Sequence, residues 1–177
     1  MSKILERELA LHTSPAICGI KPSNLICIEY NELIYDEIEE LNRLYPKLAI
    51  KVLKRFKNKM LILVYRKNVL ESHLGKMENI LFLNELGYNT NSISDMLNCL
   101  RSRMDNELFP HEIGIFLGYD LSDVKGFINN ERCLYVGYWK VYSNVVEKIK
   151  LFDKFTRCKN IVNKLINGGV PLERFMR

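Results

Sequence analysis

The chain has 177 residues, 47% of them hydrophobic and 27% charged, with a formal net charge of +5. This is the balance of a globular domain that can bury a sizeable core without disulfide or metal staples. The longest apolar run, Met60 to Tyr65, is far short of the roughly eighteen residues of a membrane span, which excludes a membrane-spanning helix. One domain over residues 1–177 is therefore expected. The N-terminal segment carries Glu6 and Glu8 among its apolar positions and lacks the core of a signal peptide, which predicts a cytoplasmic protein. Five cysteines (Cys18, Cys27, Cys99, Cys133 and Cys158) are scattered without CxxC or CxxxC spacing. They are expected to be free thiols rather than metal ligands or a redox motif.

In chain order, Ser2 to Leu11 is a short helix with Ile4, Leu5 and Leu9 on its apolar side. His12 to Ser23 contains Pro15, Gly19 and Pro22 and reads as an ordered loop. Leu25 to Tyr30 is a strand. Asn31 to Leu44 is a helix, stopped at Tyr45-Pro46 because the residue before proline is pushed away from helical angles. Leu48 to Phe56 and Lys59 to Arg66 form a hairpin around Lys57-Asn58, with Asn58 the residue suited to positive φ. The continuously apolar second strand is expected to be central in its sheet. Helices follow at Val69 to Leu74, Met77 to Leu86 and Ser92 to Met104. Cys133 to Tyr142 reads as an aromatic strand, and Val145 to Ile166 as a long helix ended by Gly168-Gly169.

An internal echo runs through the middle. Leu86-Gly87-Tyr88 precedes Ile93, Met96, Leu97 and Asn98; Leu117-Gly118-Tyr119 precedes Val124, Phe127, Ile128 and Asn129 at the same offsets. Each copy reads as a helix stopped by glycine, a polar turn, and a second helix with an apolar stripe. Such helix-corner-helix units also occur in DNA readers, but the later copy offers Asp120 and Asp123 against Lys125 alone, which suits phosphates poorly. The basic run from Lys47 to Lys67 has eight cations and no acid, and reads as a solvated hairpin without exposed aromatics rather than a nucleic-acid face.

His12, Ser14-Pro15 and Gly19-Ile20-Lys21-Pro22, the block FPHEIGIFLGYDLSDVKGFI from Phe109 to Ile128, and GYWKVY ending at Tyr142 together resemble a bacterial family, domain of unknown function 3793, of Clostridia-like Firmicutes. The resemblance covers nearly the whole chain. Where the family has proline after Gly-Tyr, this chain has Asp120, a change in a turn residue. The resemblance implies the domain boundaries and a candidate site, but no activity.

The candidate site residues are His12, Ser14, Lys21, His111, Glu112, Lys140 and Tyr142. His111 and Glu112 follow Pro110, a favoured first helical residue, so they are expected in a first turn whose N–H groups and dipole can hold an anion. The alternative is that Glu112 only complements the dipole. His111-Glu112 is not HExxH, because Ile115 stands where the second histidine belongs, and no metal site is predicted. His12, Ser14 and Lys21 lie on the proline-held loop, where histidine suits proton transfer; the alternative is that His12 caps the first helix. Tyr138, Lys140 and Tyr142 share one face of the aromatic strand, with Trp139 and Val141 on the core side. Without a P-loop, GxGxxG or GxSxG, no cofactor is identified.

The sequence thus predicts an α+β fold: a small, mostly antiparallel sheet of three to four strands (25–30, 48–56, 59–66 and 133–142) packed with helices, and a helical middle section with two helix-corner-helix units. The function read from these residues is a cytoplasmic binding or regulatory domain for a small anionic ligand. Two alternatives stand beside it: an enzyme with His12 or His111 as acid/base, and a nucleic-acid or protein interaction module. Nucleic acid is disfavoured, no membrane is expected, and oligomeric state is not encoded in any recognisable pattern.

Overall fold

The computed structural model describes residues 1–106 and 108–177. Contacts group the chain into two compact units, Met1–Leu70 with Arg157–Arg177, and Glu71–Thr156. The fold is α+β, with eight α-helices, a three-stranded antiparallel sheet and a separate two-stranded ribbon among the described residues.

The first unit begins with α1 (Lys3–Ile17), capped by the Ser2 hydroxyl, which accepts from the Leu5 amide at 3.3 Å. The helix runs six residues past the expected stop at Leu11 and carries Pro15 inside it. Pro15 has no N–H for the Leu11 carbonyl and ought to end the helix. Burial overrides that local preference: Thr13, Ser14, Ala16 and Ile17 are fully buried. The polar atoms of this last turn are also provided for. Thr13 donates its hydroxyl to the Leu9 carbonyl at 2.6 Å, Ser14 donates to the Ala10 carbonyl, and the Ala16 amide donates to Asn24 Oδ1 at 3.2 Å. The loop expected at 12–23 is therefore helix as far as Ile17, followed by a turn in which Gly19 adopts φ +73°.

The sheet order is β1-β3-β2, with β1 (Ser23–Glu29), β2 (Leu48–Phe56) and β3 (Lys59–Arg66) all antiparallel. β3 is the centre, as its unbroken apolar run predicts: Met60, Ile62, Leu63 and Val64 are all fully buried. The hairpin ends fall where the alternation put them, but Lys57 rather than Asn58 takes the positive φ, at 29°. A bulge between Val52 and Lys54 inserts Leu53, which is 1% exposed. Between β1 and β2 runs α2 (Glu32–Leu44), with Asn31 Oδ1 accepting from the Ile34 amide at 2.8 Å. Leu5, Leu9 and Ile17 of α1, Ile34, Ile38 and Leu41 of α2, and Ile62 and Val64 of β3 form one apolar cluster. Val162, Leu172 and Met176 of the C-terminal segment complete it. The chain leaves this unit within α3 (Lys67–Leu74) and returns within α8 (Val145–Asn167), ending in a 3-10 turn at Leu172–Phe175.

The second unit holds α4 (Met77–Glu85), α5 (Ile93–Met104), α6 (Ile113–Phe116) and α7 (Leu121–Ile128). The echo in the sequence is an echo in space. Gly87 and Gly118 adopt φ +82° and +81°, and in each copy the tyrosine after the glycine donates its amide five residues back, Tyr88 to Leu83 and Tyr119 to Gly114, both at 2.9 Å. These are Schellman-type stops, which need a residue without a Cβ penalty at positive φ.

The expected strand at 133–142 is instead a tight ribbon of β4 (Tyr135–Val136) and β5 (Lys140–Val141), which is not part of the three-stranded sheet. Gly137 turns the chain, its amide donating to the Trp139 carbonyl at 3.0 Å. A Cβ at Gly137 would lie 2.3 Å from the Phe152 ring, so the close approach of turn and helix requires glycine. Strand propensity was read correctly here, but Gly137 folds the segment back on itself. Alternation survives beyond the turn: Trp139 and Val141 are buried, while Tyr138 and Lys140 are exposed. Trp139, Val141, Phe152 and Phe155 form one apolar cluster of this unit.

Candidate functional site

The seven predicted residues divide between the units: His12, Ser14 and Lys21 belong to the first, and His111, Glu112, Lys140 and Tyr142 to the second. In the first unit the first half of the loop expected to present them, as far as Ile17, is helix. His12 is on the outer side of α1, with Nε2 3.8 Å from Glu8 Oε2, and does not cap the helix end. Ser14 is fully buried with its hydroxyl on the Ala10 carbonyl. Lys21 is only 5% exposed, and burial together with the Lys159 charge pulls its ammonium down to about 8. In the basic hairpin, Arg55 stacks on Tyr30 and Tyr35, with its guanidinium carbon 4.8 and 4.5 Å from the ring centres. The reading that this run lacks exposed aromatics is corrected by Phe56, which is 44% exposed.

In the second unit, two of the four predicted residues meet. A cavity of about 410 Å³ is walled mostly by apolar side chains of α6, α7 and the ribbon, with His111, Asp123 and Lys140 also lining it. Phe127 is their common contact. The imidazole meets its ring edge-on with centroids 5.0 Å apart, and Lys140 Nζ lies 5.4 Å from the ring centre. Both side chains are exposed, whereas the wall behind them is buried or half-buried. That wall is Trp139 stacked on Tyr119 at 4.2 Å, with Ile113, Leu117 and Val124 beside it. Burial pushes the Tyr119 phenol up to about 12, so it stays neutral at physiological pH.

The wall is fixed by a buried carboxylate. Asp123, 2% exposed, accepts from Trp139 Nε1 and from the Tyr142 amide, each at 2.8 Å. Lys148 Nζ lies 3.9 Å from the same carboxylate and pairs closely with Asp120. Tyr142 does not line the cavity; its ring fills the space over Gly126, where an added Cβ would lie 2.5 Å from it.

Glu112 is placed differently from expectation. It is 5% exposed, and its Oε1 accepts from Arg103 Nε at 2.5 Å and from the Tyr88 hydroxyl at 2.9 Å. The carboxylate joins α5 and the first glycine corner to the start of α6, and Glu112 lines a second cavity together with Arg103 and His111. Burial and this neighbouring carboxylate together push the Tyr88 phenol well above its ordinary value. The helix start at His111 is also not an anion cradle. α6 is only four residues long, and the amides of Ile113, Gly114 and Ile115 already donate to Pro110, His111 and Glu112 carbonyls.

Sequence reasoning missed Phe127 as a site residue, reading it as core stripe, although it is 40% exposed and touches both His111 and Lys140. Asp123 was read only as an unfavourable charge; its pairing with Trp139, sixteen residues on, has no local signature. Among the described residues no group of three or more His, Cys, Asp or Glu is placed to hold a metal ion, and no helix is long and apolar enough to cross a membrane.

A family model described as a protein of unknown function (DUF3793) matches residues 9–176. No curated protein and no solved structure matches the chain. The match spans the site just described and nearly all of both units, and the chain belongs to the DUF3793 family.

Proposed function

We propose that this protein binds a small amphipathic anion, with the apolar body of the ligand in the 410 Å³ cavity and its carboxylate or phosphate at the rim on Lys140 and His111. The observation that carries this reading is the meeting of these two side chains on Phe127 at the mouth of a mostly apolar cleft whose one lining carboxylate, Asp123, is already engaged by Trp139 and the Tyr142 amide. The volume is that of ordinary small-molecule sites, which are mostly apolar with a few polar groups that fix orientation. A rim cation gives a charge-assisted hydrogen bond worth about 1.5–3 kcal/mol, roughly ten- to a hundred-fold in affinity. Such binding would make the protein a sensor or carrier in the cytoplasm of a Clostridia-like bacterium; the scattered thiols support the compartment and the family resemblance supports the source.

The test uses the sole tryptophan, Trp139, as an internal reporter in the cavity wall. Phenylacetate is titrated against its neutral amide and against acetate, with fluorescence and thermal midpoint as readouts. The expected result is saturable quenching and a raised midpoint with phenylacetate, weak effects of the other two, and at least ten-fold weaker binding in Lys140→Ala. His111→Ala is expected to weaken binding less. Equal responses to acid and amide, or an unchanged Lys140→Ala titration, would remove the anion from the reading.

A further inference from the structure

We propose that the first unit holds a second ligand site, distinct from the Trp139 cavity, and that its ligand is an apolar α-amino acid bound as the zwitterion. The site is a cavity of about 240 Å³ with Leu5, Ile28 and Ile34 among its apolar lining and Glu8, Glu29 and Lys59 as its charged groups. It lies where β1 ends at Glu29 and β3 begins at Lys59. Leu5 and Ile34 reach it from the first turns of α1 and α2.

The charges are arranged as an α-amino acid requires. Glu29 and Lys59 stand directly opposite each other in the antiparallel register of β1 and β3. Directly opposed residues send their side chains to the same face of a sheet, with Cβ atoms about 5 Å apart. A carboxylate and an ammonium are thus neighbours, and both residues are exposed. Exposed charges of this kind gain little from each other, so trading one another for the charges of a ligand costs little. An α-amino acid carries both its charges on one carbon and meets such a pair head to tail, its ammonium on Glu29 and its carboxylate on Lys59. The ammonium has three N–H donors, and Glu8 supplies a further acceptor from α1. His12, with Nε2 3.8 Å from Glu8 Oε2, neighbours the site without lining it.

The apolar lining selects the side chain. Leu5, Ile28 and Ile34 are buried members of the main core cluster and so present a fixed surface. Ile4, which also lines the cavity, is 68% exposed and gains cover from a bound apolar group. The volume falls below the roughly 300–1,000 Å³ of drug-sized sites, which suits a molecule of amino-acid size. An acid without the ammonium would bring an anion to Glu8 and Glu29, and an amine without the carboxylate would leave Lys59 unanswered. Only the zwitterion satisfies both signs.

The experiment titrates the full chain by calorimetry with L-leucine and three of its fragments: 4-methylpentanoate, which lacks the ammonium, isopentylamine, which lacks the carboxylate, and glycine, which lacks the apolar side chain. Leucine is expected to bind saturably, and each of the other three at least roughly ten-fold more weakly. Lys59→Ala is expected to weaken leucine roughly ten-fold without weakening isopentylamine, and Glu29→Gln to weaken leucine without weakening 4-methylpentanoate. Both side chains are exposed, so unchanged thermal midpoints are expected and separate a lost contact from a lost fold. Bound leucine is also expected to slow alkylation of Cys27, an exposed lining residue, and to leave Cys133 unaffected. Because the Trp139 cavity is itself proposed to take apolar acids, the series is repeated in Lys140→Ala, where leucine binding is expected to persist. Equal affinities for leucine and its fragments, a leucine titration insensitive to Lys59→Ala or to Glu29→Gln, or leucine binding lost with Lys140→Ala would overturn the proposal. So would the absence of leucine binding at millimolar concentration.

Discussion

Replacing Asp123 tests whether the cavity wall is held by one buried carboxylate. Asp123→Ala removes the acceptor of two hydrogen bonds, from Trp139 Nε1 and from the Tyr142 amide, in a site where the residue is only 2% exposed. Each buried donor left without an acceptor costs about 1–3 kcal/mol. Lys148, itself 5% exposed, keeps Asp120 as its close partner, so the ammonium is not abandoned and the loss on that side is smaller. The expected total is about 3–5 kcal/mol, the range for removing one member of a buried charged pair. Asp123→Asn separates charge from shape. Its oxygen can serve the indole or the amide, but its NH2 then faces the other donor, so about half of the loss is expected to remain.

The assay is urea unfolding followed by Trp139 fluorescence, which reports on the second unit because the chain has no other tryptophan. Asp153→Ala, an exposed acid on α8, serves as the control and is expected to change stability by less than about 0.5 kcal/mol. An Asp123→Ala loss below about 1 kcal/mol, or an Asn variant as stable as the parent, would refute the reasoning.

Two further predictions concern stability. His73 is half-buried, its Nε2 is buried without a hydrogen-bond partner, and its pKa falls to about 4, chiefly through desolvation, with Lys76 adding to the lowering. Above pH 6.5 the ring is neutral in both folded and unfolded chains and contributes no pH dependence. Between pH 6.5 and 4 the unfolded chain takes up a proton that the folded one refuses, so stability falls as pH falls, by up to about 3 kcal/mol. His73→Phe is expected to flatten that part of the profile in urea titrations at successive pH values; a parent-minus-variant difference that does not change from pH 7 to 4 would count against it. Gly137→Ala is expected to cost about 1–3 kcal/mol, since its Cβ would meet the Phe152 ring at 2.3 Å and Phe152 is only 6% exposed. Gly87→Ala has open space around the new Cβ and is expected to cost about 1 kcal/mol from its φ of +82° alone, so the order of the two urea midpoints decides between crowding and backbone strain.

What could be read from the sequence followed the range of the interactions involved. β2 and β3 were legible to the residue because alternation, an unbroken apolar run and a two-residue turn are all local signals. The paired corners were legible because glycine at positive φ is a requirement of one residue. The extent of α1 was not legible: proline argues locally for a stop, and what carries the helix past it is burial against elements more than ten residues away. The ribbon at 133–142 had the composition of one strand, and the close approach of Phe152 that makes Gly137 a turn lies fifteen residues downstream. The same limit governed the site. His111 and Lys140 stood out as chemically able side chains, whereas Glu112 looked equally able until Arg103 and Tyr88 were seen to occupy it.

That contrast is also the strongest argument for where a ligand would go. Among the described residues, the buried carboxylates of this unit are each engaged with a donor of opposite or complementary character: Glu112 with Arg103 and Tyr88, Asp123 with Trp139 and Tyr142, and with Lys148 nearby. A buried charge left unpaired would cost several kcal/mol, so these groups hold the wall and are poor candidates to exchange partners with a ligand. His111 and Lys140 differ on both counts: they are exposed, and both lie against the Phe127 ring. A cation over an exposed aromatic ring gains only about 0.5–1 kcal/mol, less than a charge-assisted hydrogen bond to an anion. Turning from ring to ligand is therefore downhill for Lys140, and it would leave the Phe127 face to the ligand's apolar body. The stacked Trp139–Tyr119 wall does not have to move for this, so binding would be set by two rim side chains and one ring on a rigid floor.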